Sequence, residues 1–217
     1  VLGGKNTSGT AQSGISLATI TASDGSVGTF SASSQSLPQA LFGHSSTAVT
    51  VGSSNYVYVI GGNNGTTDQT TVYKSTVGSS DLGTFSTTSQ TQLSTGISYH
   101  TIATGTISST NYLYVIGGLN GSTAQTSVYK GTLDSSGNIT ALTTTGQSSL
   151  PQGLYGHSAY IATVGSNNYL YVIGGMTTGG TRQTTVYRAS IDSSGNIGSF
   201  ATTYQTQLYC HFQPCFI

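Results

Sequence analysis

The chain has no glutamate and no tryptophan, three prolines, one methionine and two cysteines in 217 residues. Charge is also scarce: Asp, Glu, Lys and Arg make up 5% of the sequence, against roughly a quarter in ordinary globular proteins. Five basic and five acidic residues cancel. There is thus no basic face for a nucleic-acid backbone and no polybasic patch for an anionic membrane. No apolar run approaches the roughly 18–20 residues of a membrane-crossing helix, so no membrane insertion is expected. Without glutamate, paired carboxylates for acid–base work must come from five aspartates, most of them in turn-like sequences. Two cysteines are too few for a disulfide scaffold; Cys210 and Cys215, both in the last eight residues, can form one disulfide in an oxidising compartment.

Serine, threonine, asparagine, glutamine and tyrosine fill the chain instead, with 30 glycines. Solubility must rest on hydroxyls and amides, and a neutral surface of this kind associates readily. The composition points to an extracellular or cell-surface setting. The strongest pattern is a repeated phrase: NYVYVIGG at Asn55–Gly62, NYLYVIGG at Asn111–Gly118 and again at Asn168–Gly175, with a clipped VLGG at Val1–Gly4. The first glycines of the pairs, Gly3, Gly61, Gly117 and Gly174, are spaced by 58, 56 and 57 residues. A fixed period of this size means one supersecondary unit copied in tandem.

One copy, Leu150–Phe200, shows how the unit is built. Tyr160–Val164 reads as a strand. In the next run Tyr169, Tyr171 and Ile173 share one face, and Leu170 and Val172 the other. Both faces are apolar or aromatic, as in a strand buried on two sides. The glycine pair ends that strand and permits positive φ or a close backbone approach. A polar loop follows, then a third strand anchored by Val186 and Ile191, the turn Asp192–Asn196, and a short fourth strand at Ile197–Ala201. Nothing in the unit has a helical period.

Four short antiparallel strands, the triple VIGG, the Val-Tyr that follows it, and LP…GH at Leu37–His44 and Leu150–His157 together resemble the kelch family. The family usually carries a tryptophan near the outer strand; here Phe30, Phe85, Leu142 and Phe200 stand in roughly that place. The Ser/Thr-rich copies look most like kelch arrays of bacterial surface proteins. The resemblance implies an all-β propeller, a single domain over 1–217 with four blades of four antiparallel strands. The blades would be 1–31 plus 208–217, 37–86, 93–145 and 150–201. In that reading the tail Leu208–Ile217 supplies the missing first strand of the first blade and closes the ring.

Candidate site residues are few. His44, His100 and His157 each fall seven residues after a repeat-opening leucine. They are either three converging metal ligands or three structural residues, each capping a turn or bonding a backbone carbonyl within its own blade, and repetition favours the second. His211, between the two cysteines, would belong to a Cys/His cluster. Asp134 and Asp192 in identical DSSGN turns, with Asp24 in SDGS, fit calcium ligation and fit ordinary hairpin turns better. Lys74, Lys130 and Arg188 read as solvated strand residues. Asp68 and Arg182 break the repeat symmetry in the loop after Gly-Gly and are the candidate ligand-binding residues. The expected function is a non-enzymatic binding or structural module that presents loops to a carbohydrate or protein partner, with self-association. The alternative is a lactonase-like or glycan-processing hydrolase with calcium in a central channel, an analogy of fold alone.

Overall fold

The computed structural model describes residues 1–202 and is all-β; none of the described residues is helical. β1 (Leu2–Lys5), β2 (Ala11–Leu17) and β3 (Ser31–Leu41) form the first sheet, and β4 (Ser45–Val51), β5 (Ser54–Ile60) and β6 (Val72–Thr76) the second. The third comprises β7 (Thr101–Ile107) and β8 (Thr110–Ile116), then, after a two-stranded ribbon of β9 (Leu119–Asn120) and β10 (Thr123–Ala124), β11 (Val128–Leu133) and β12 (Ile139–Thr143). β13 (Ser158–Val164), β14 (Asn167–Ile173) and β15 (Val186–Ile191) make the fourth. All named strand pairs are antiparallel.

The four-bladed closed propeller is overturned. Among the described residues there are five small separate sheets, none of them closed, and only the third main sheet has four strands. Two physical causes are visible. The fourth strand of the repeat carries glycine at Gly83 and Gly198, where repeat three has Thr140. Glycine weakens a strand interior. Repeats two and four therefore keep only isolated bridges, Lys74 with Ser86 and Arg188 with Ala201, while Ile139–Thr143 pairs regularly as β12. The second cause lies at Leu37, expected to open the blade at 37–86. It belongs instead to β3, which pairs along β2 and ends at Leu41 opposite Gln12. The expected closing strand, Leu208–Ile217, lies outside the described residues.

The main sheets do pack on one another in chain order. Ile15, Leu37 and Leu41 meet Val59 and Tyr73 between the first and second sheets. Tyr58 and Ile60 meet Leu113 and Val115 between the second and third. Tyr112, Tyr114 and Ile116 meet Leu170 and Val172 between the third and fourth. The alternation read from sequence is therefore real: β8 buries its Leu/Val face against one neighbour and its Tyr/Ile face against the other. Each fully buried Leu, Ile or Val contributes about 1.5–3 kcal/mol.

Candidate functional site

The glycine pairs and the histidines build one another. A Cβ on Gly118 would lie 2.8 Å from His100 Cβ, and one on Gly175 2.8 Å from His157 Cβ. The first glycine of the preceding pair closes the other side: a Cβ on Gly61 would be 2.9 Å from His100 Cε1, and one on Gly117 2.9 Å from His157 Cε1. Each imidazole thus fills a slot between two repeats that only glycine leaves open. The backbone locks the slot, with Gly62 N–H donating to the Ile97 carbonyl and Gly118 N–H to the Leu154 carbonyl, both at 2.8 Å.

His100 and His157 are buried, and neither ring nitrogen of either has a hydrogen-bond partner; nor has Nδ1 of His44. Burial pushes His100 down to about 3, with neighbouring His157 and His44 adding to the shift and the Ile60 carbonyl opposing it. Burial likewise lowers His157 to about 4 and lowers His44, which is less enclosed. Near neutral pH the buried imidazoles are uncharged. The expectation that each caps a turn or bonds a backbone carbonyl within its own blade is not met: the carbonyls that act on His100 and His157 are those of Ile60 and Ile116, in the preceding repeat, and neither makes a well-formed hydrogen bond. Among the described residues, no three His, Cys, Asp or Glu side chains form a group able to hold a metal ion.

The aspartate turns are hairpin devices. Asp134 Oδ1 accepts the Ser136 and Asn138 amides, and Asp192 Oδ1 accepts those of Ser194 and Asn196. These bonds hold both carboxyls below the usual range. Asp81 accepts Ser33 Oγ, the Ser34 amide and Ser34 Oγ, tying the second repeat's turn to β3. Cys210, His211 and Cys215 lie outside the described residues.

The structure separates the two symmetry-breaking charges. Asp68 staples loops of successive repeats: Oδ1 accepts Asn63 Nδ2 at 2.9 Å and Oδ2 accepts the Gly121 amide at 2.6 Å. It lines a shallow polar cleft of about 330 Å³ with Asn63, Thr66, Thr67, Asn120 and Gly121. Arg182 is exposed in the loop of the fourth repeat, where its backbone bridges Met176. No hydrogen bond joins it to Asp68 among the described residues. Asp68→Ala should lower unfolding free energy by about 1.5 kcal/mol, the scale of a charge-assisted bond left unmade. Urea denaturation measures this, and an unchanged midpoint would remove the staple.

Sequence reasoning missed the aromatic group beside this cleft. Phe42 pairs its backbone with Asn63 in both directions. Its ring meets Tyr99 edge-on at 6.3 Å, and Lys5 Nζ sits 3.7 Å from the Phe42 centroid. Tyr99 is exposed and holds φ at 53°. The equivalent residues in the sister repeats are Gly43 and Gly156, both at φ 59°. The backbone needs that conformation because Tyr99 N–H donates to the Gly43 carbonyl and its own carbonyl accepts the Gly156 amide. A bulky side chain there costs about 1–2 kcal/mol. The signal was available: in three aligned copies, one tyrosine stands where two glycines do.

In comparisons with known proteins, the chain matches no family model and no curated protein. None of the described residues forms a helix long and apolar enough to cross a membrane.

Proposed function

We propose that the chain is a non-enzymatic binding module of secreted or cell-surface type, built from kelch-like repeats, whose ligand is a neutral carbohydrate. Tyr99 is the observation that carries this reading. An aromatic side chain is held at a left-handed backbone position that its sister repeats give to glycine. Local strain of this kind concentrates at functional sites. The exposed ring offers a stacking platform, and the Asn63, Thr66 and Asn120 side chains in the nearby cleft offer donors and acceptors suited to sugar hydroxyls. The low charge of the chain suits an uncharged ligand. A hydrolase reading has less support, because among the described residues the buried imidazoles face no carboxylate partner and Asp134 and Asp192 engage their oxygens in their own turns.

A glycan array followed by calorimetry tests the proposal. The intact chain should bind a neutral glycan. Tyr99→Gly should weaken binding at least tenfold while changing stability by less than about 1 kcal/mol, since relief of strain offsets the lost ring contacts. Equal binding by both forms would overturn it, as would an array without signal.

A further inference from the structure

Two interfaces in the stack use the same device. Between the second and third sheets, the Tyr58 hydroxyl donates to the Gly137 carbonyl, and Lys74 Nζ donates to the Ser136 carbonyl and Asn138 Oδ1. Between the third and fourth, Tyr114 donates to the Gly195 carbonyl at 2.8 Å, and Lys130 Nζ to the Ser194 carbonyl at 3.1 Å and Asn196 Oδ1 at 2.6 Å. A tyrosine and a cation, directly opposite each other on adjacent strands, grip the tip of a glycine turn from the next repeat. Lys74 and Lys130 are therefore interface residues, not simply solvated ones.

Among the described residues, half of the device is left unmet on each of the outer sheets. On the fourth sheet Tyr171 and Arg188 stand in the same register. The guanidinium lies 4.8 Å from the Tyr169 centroid, as Lys74 lies 4.9 Å from Tyr56. Among the described residues, no turn meets this pair. At the other end, the turn Thr21–Ser26 presents Gly25 at φ 72°, between the 69° and 74° of Gly137 and Gly195. A Cβ on Gly25 would meet nothing within 4 Å, whereas one on Gly137 would lie 2.7 Å from the Tyr56 ring. Apolar neighbours tell the same story. Val27 after the free turn is 60% exposed, where Ile139 and Ile197 are 0% and 2%. Val164 on the free face is 56% exposed, where Val51 and Ile107 are 7% and 2%.

The free halves also depart from the internal copies in a matched way. The cation is arginine instead of lysine, and the residue before the turn glycine is Asp24 instead of serine. The Asp24 side chain is exposed, with Oδ1 accepting the Ser26 amide of its own turn. An arginine at one end and a carboxylate at the other suit a charge-assisted contact.

We infer that the Tyr171–Arg188 face of one copy binds the Asp24–Gly25 turn of a second copy of this chain, head to tail. Tyr171 donates to the Gly25 carbonyl, Arg188 pairs with the Asp24 carboxylate, and Val27 and Val164 are covered. The contact is heterologous, so each copy added presents another free face, and assembly grows until the rotation between copies closes a ring or runs on as an open chain.

Sedimentation velocity on the full chain, from low to high micromolar concentration, tests this. The expected result is a concentration-dependent ladder of species, absent in the double variant Tyr171→Phe/Arg188→Ala and in Asp24→Ala/Val27→Ser. None of the four residues is buried, Tyr171 and Arg188 being half-buried and Asp24 and Val27 exposed, and circular dichroism checks the fold of both variants. Mixed together, they retain one intact face and one intact turn, and should form a 1:1 dimer and nothing larger. A wild-type chain that stays monomeric throughout would overturn the inference and place the occupant of the free face within the same chain. Association that survives in either variant alone, or a mixture that does not pair, would overturn it too.

Discussion

Gly117→Ala should lower the unfolding free energy by about 4 kcal/mol, a large loss for a single methyl group. Two costs combine. Gly117 sits at φ 58°, where alanine is strained by about 1–2 kcal/mol. Its new Cβ would lie 2.5 Å from the Leu154 carbonyl oxygen and 2.9 Å from His157 Cε1. Neither neighbour gives easily: the same carbonyl accepts the Gly118 amide, and the imidazole is enclosed. Gly52 supplies the control. It has φ 61° in the β4–β5 hairpin, and a Cβ there would meet nothing within 4 Å. Gly52→Ala should therefore show backbone strain alone, about 1 kcal/mol. Urea denaturation of the two variants separates the terms. Equal losses would mean that the slot is not closed by Gly117.

Acid should destabilise the fold well before its carboxylates titrate. His100 and His157 are held near 3 and 4 in the folded chain, against 6.5 for a free imidazole. A base with a depressed folded pKa contributes no penalty above its unfolded pKa. As the pH falls below 6.5 the unfolded chain binds protons that the folded chain does not, so stability declines until the folded pKa is reached. Each pH unit in that window costs up to about 1.4 kcal/mol per imidazole, so the pair removes about 4 kcal/mol by pH 5. The aspartates act later; their shift is also downward, but for an acid a lowered folded pKa adds stability instead of removing it. Hydrogen bonds hold Asp24, Asp81, Asp134 and Asp192 below the usual range. Their contribution is complete above the ordinary carboxylate pKa and is lost only as the pH falls through the lower, folded values. Denaturant midpoints at pH 7.5, 6 and 5 should fall steeply, and His100→Gln combined with His157→Gln should flatten the curve. A wild-type profile that is level over this range would show that the imidazoles reach solvent.

Local pattern carried the sequence reading a long way. Period-two alternation in YVYVI and YLYVI located β5, β8 and β14, and Val-Tyr located β6, β11 and β15. The glycine pairs were expected to supply positive φ and close approach, and they supply both. Failure came where identical words meet different neighbours. LPQALFGHS and LPQGLYGHS differ at two positions, yet Leu37–Leu41 is strand while Leu150–Leu154 is not. The open edge of β2 decides the first case, a tertiary influence that a short window does not contain. The histidines were placed in the right repeated position with the wrong partners, since their slots are made by residues about 40 positions upstream of each ring as well as by its own repeat. The turns read correctly as reversals; their second role as plugs under Tyr58 and Tyr114 joins residues 79 and 81 apart and is written in no local pattern.

Every slot that seats an imidazole is shared between two neighbouring copies of the unit, and none reaches further along the chain. Order therefore passes from hand to hand. Among the described residues the second and third sheets have a neighbour on each side and the outer sheets lean on one, so loss of structure is expected to begin at the outer copies and move inward a whole copy at a time. A protein coupled in this way tolerates gain or loss of an entire copy more readily than one misplaced methyl group within it.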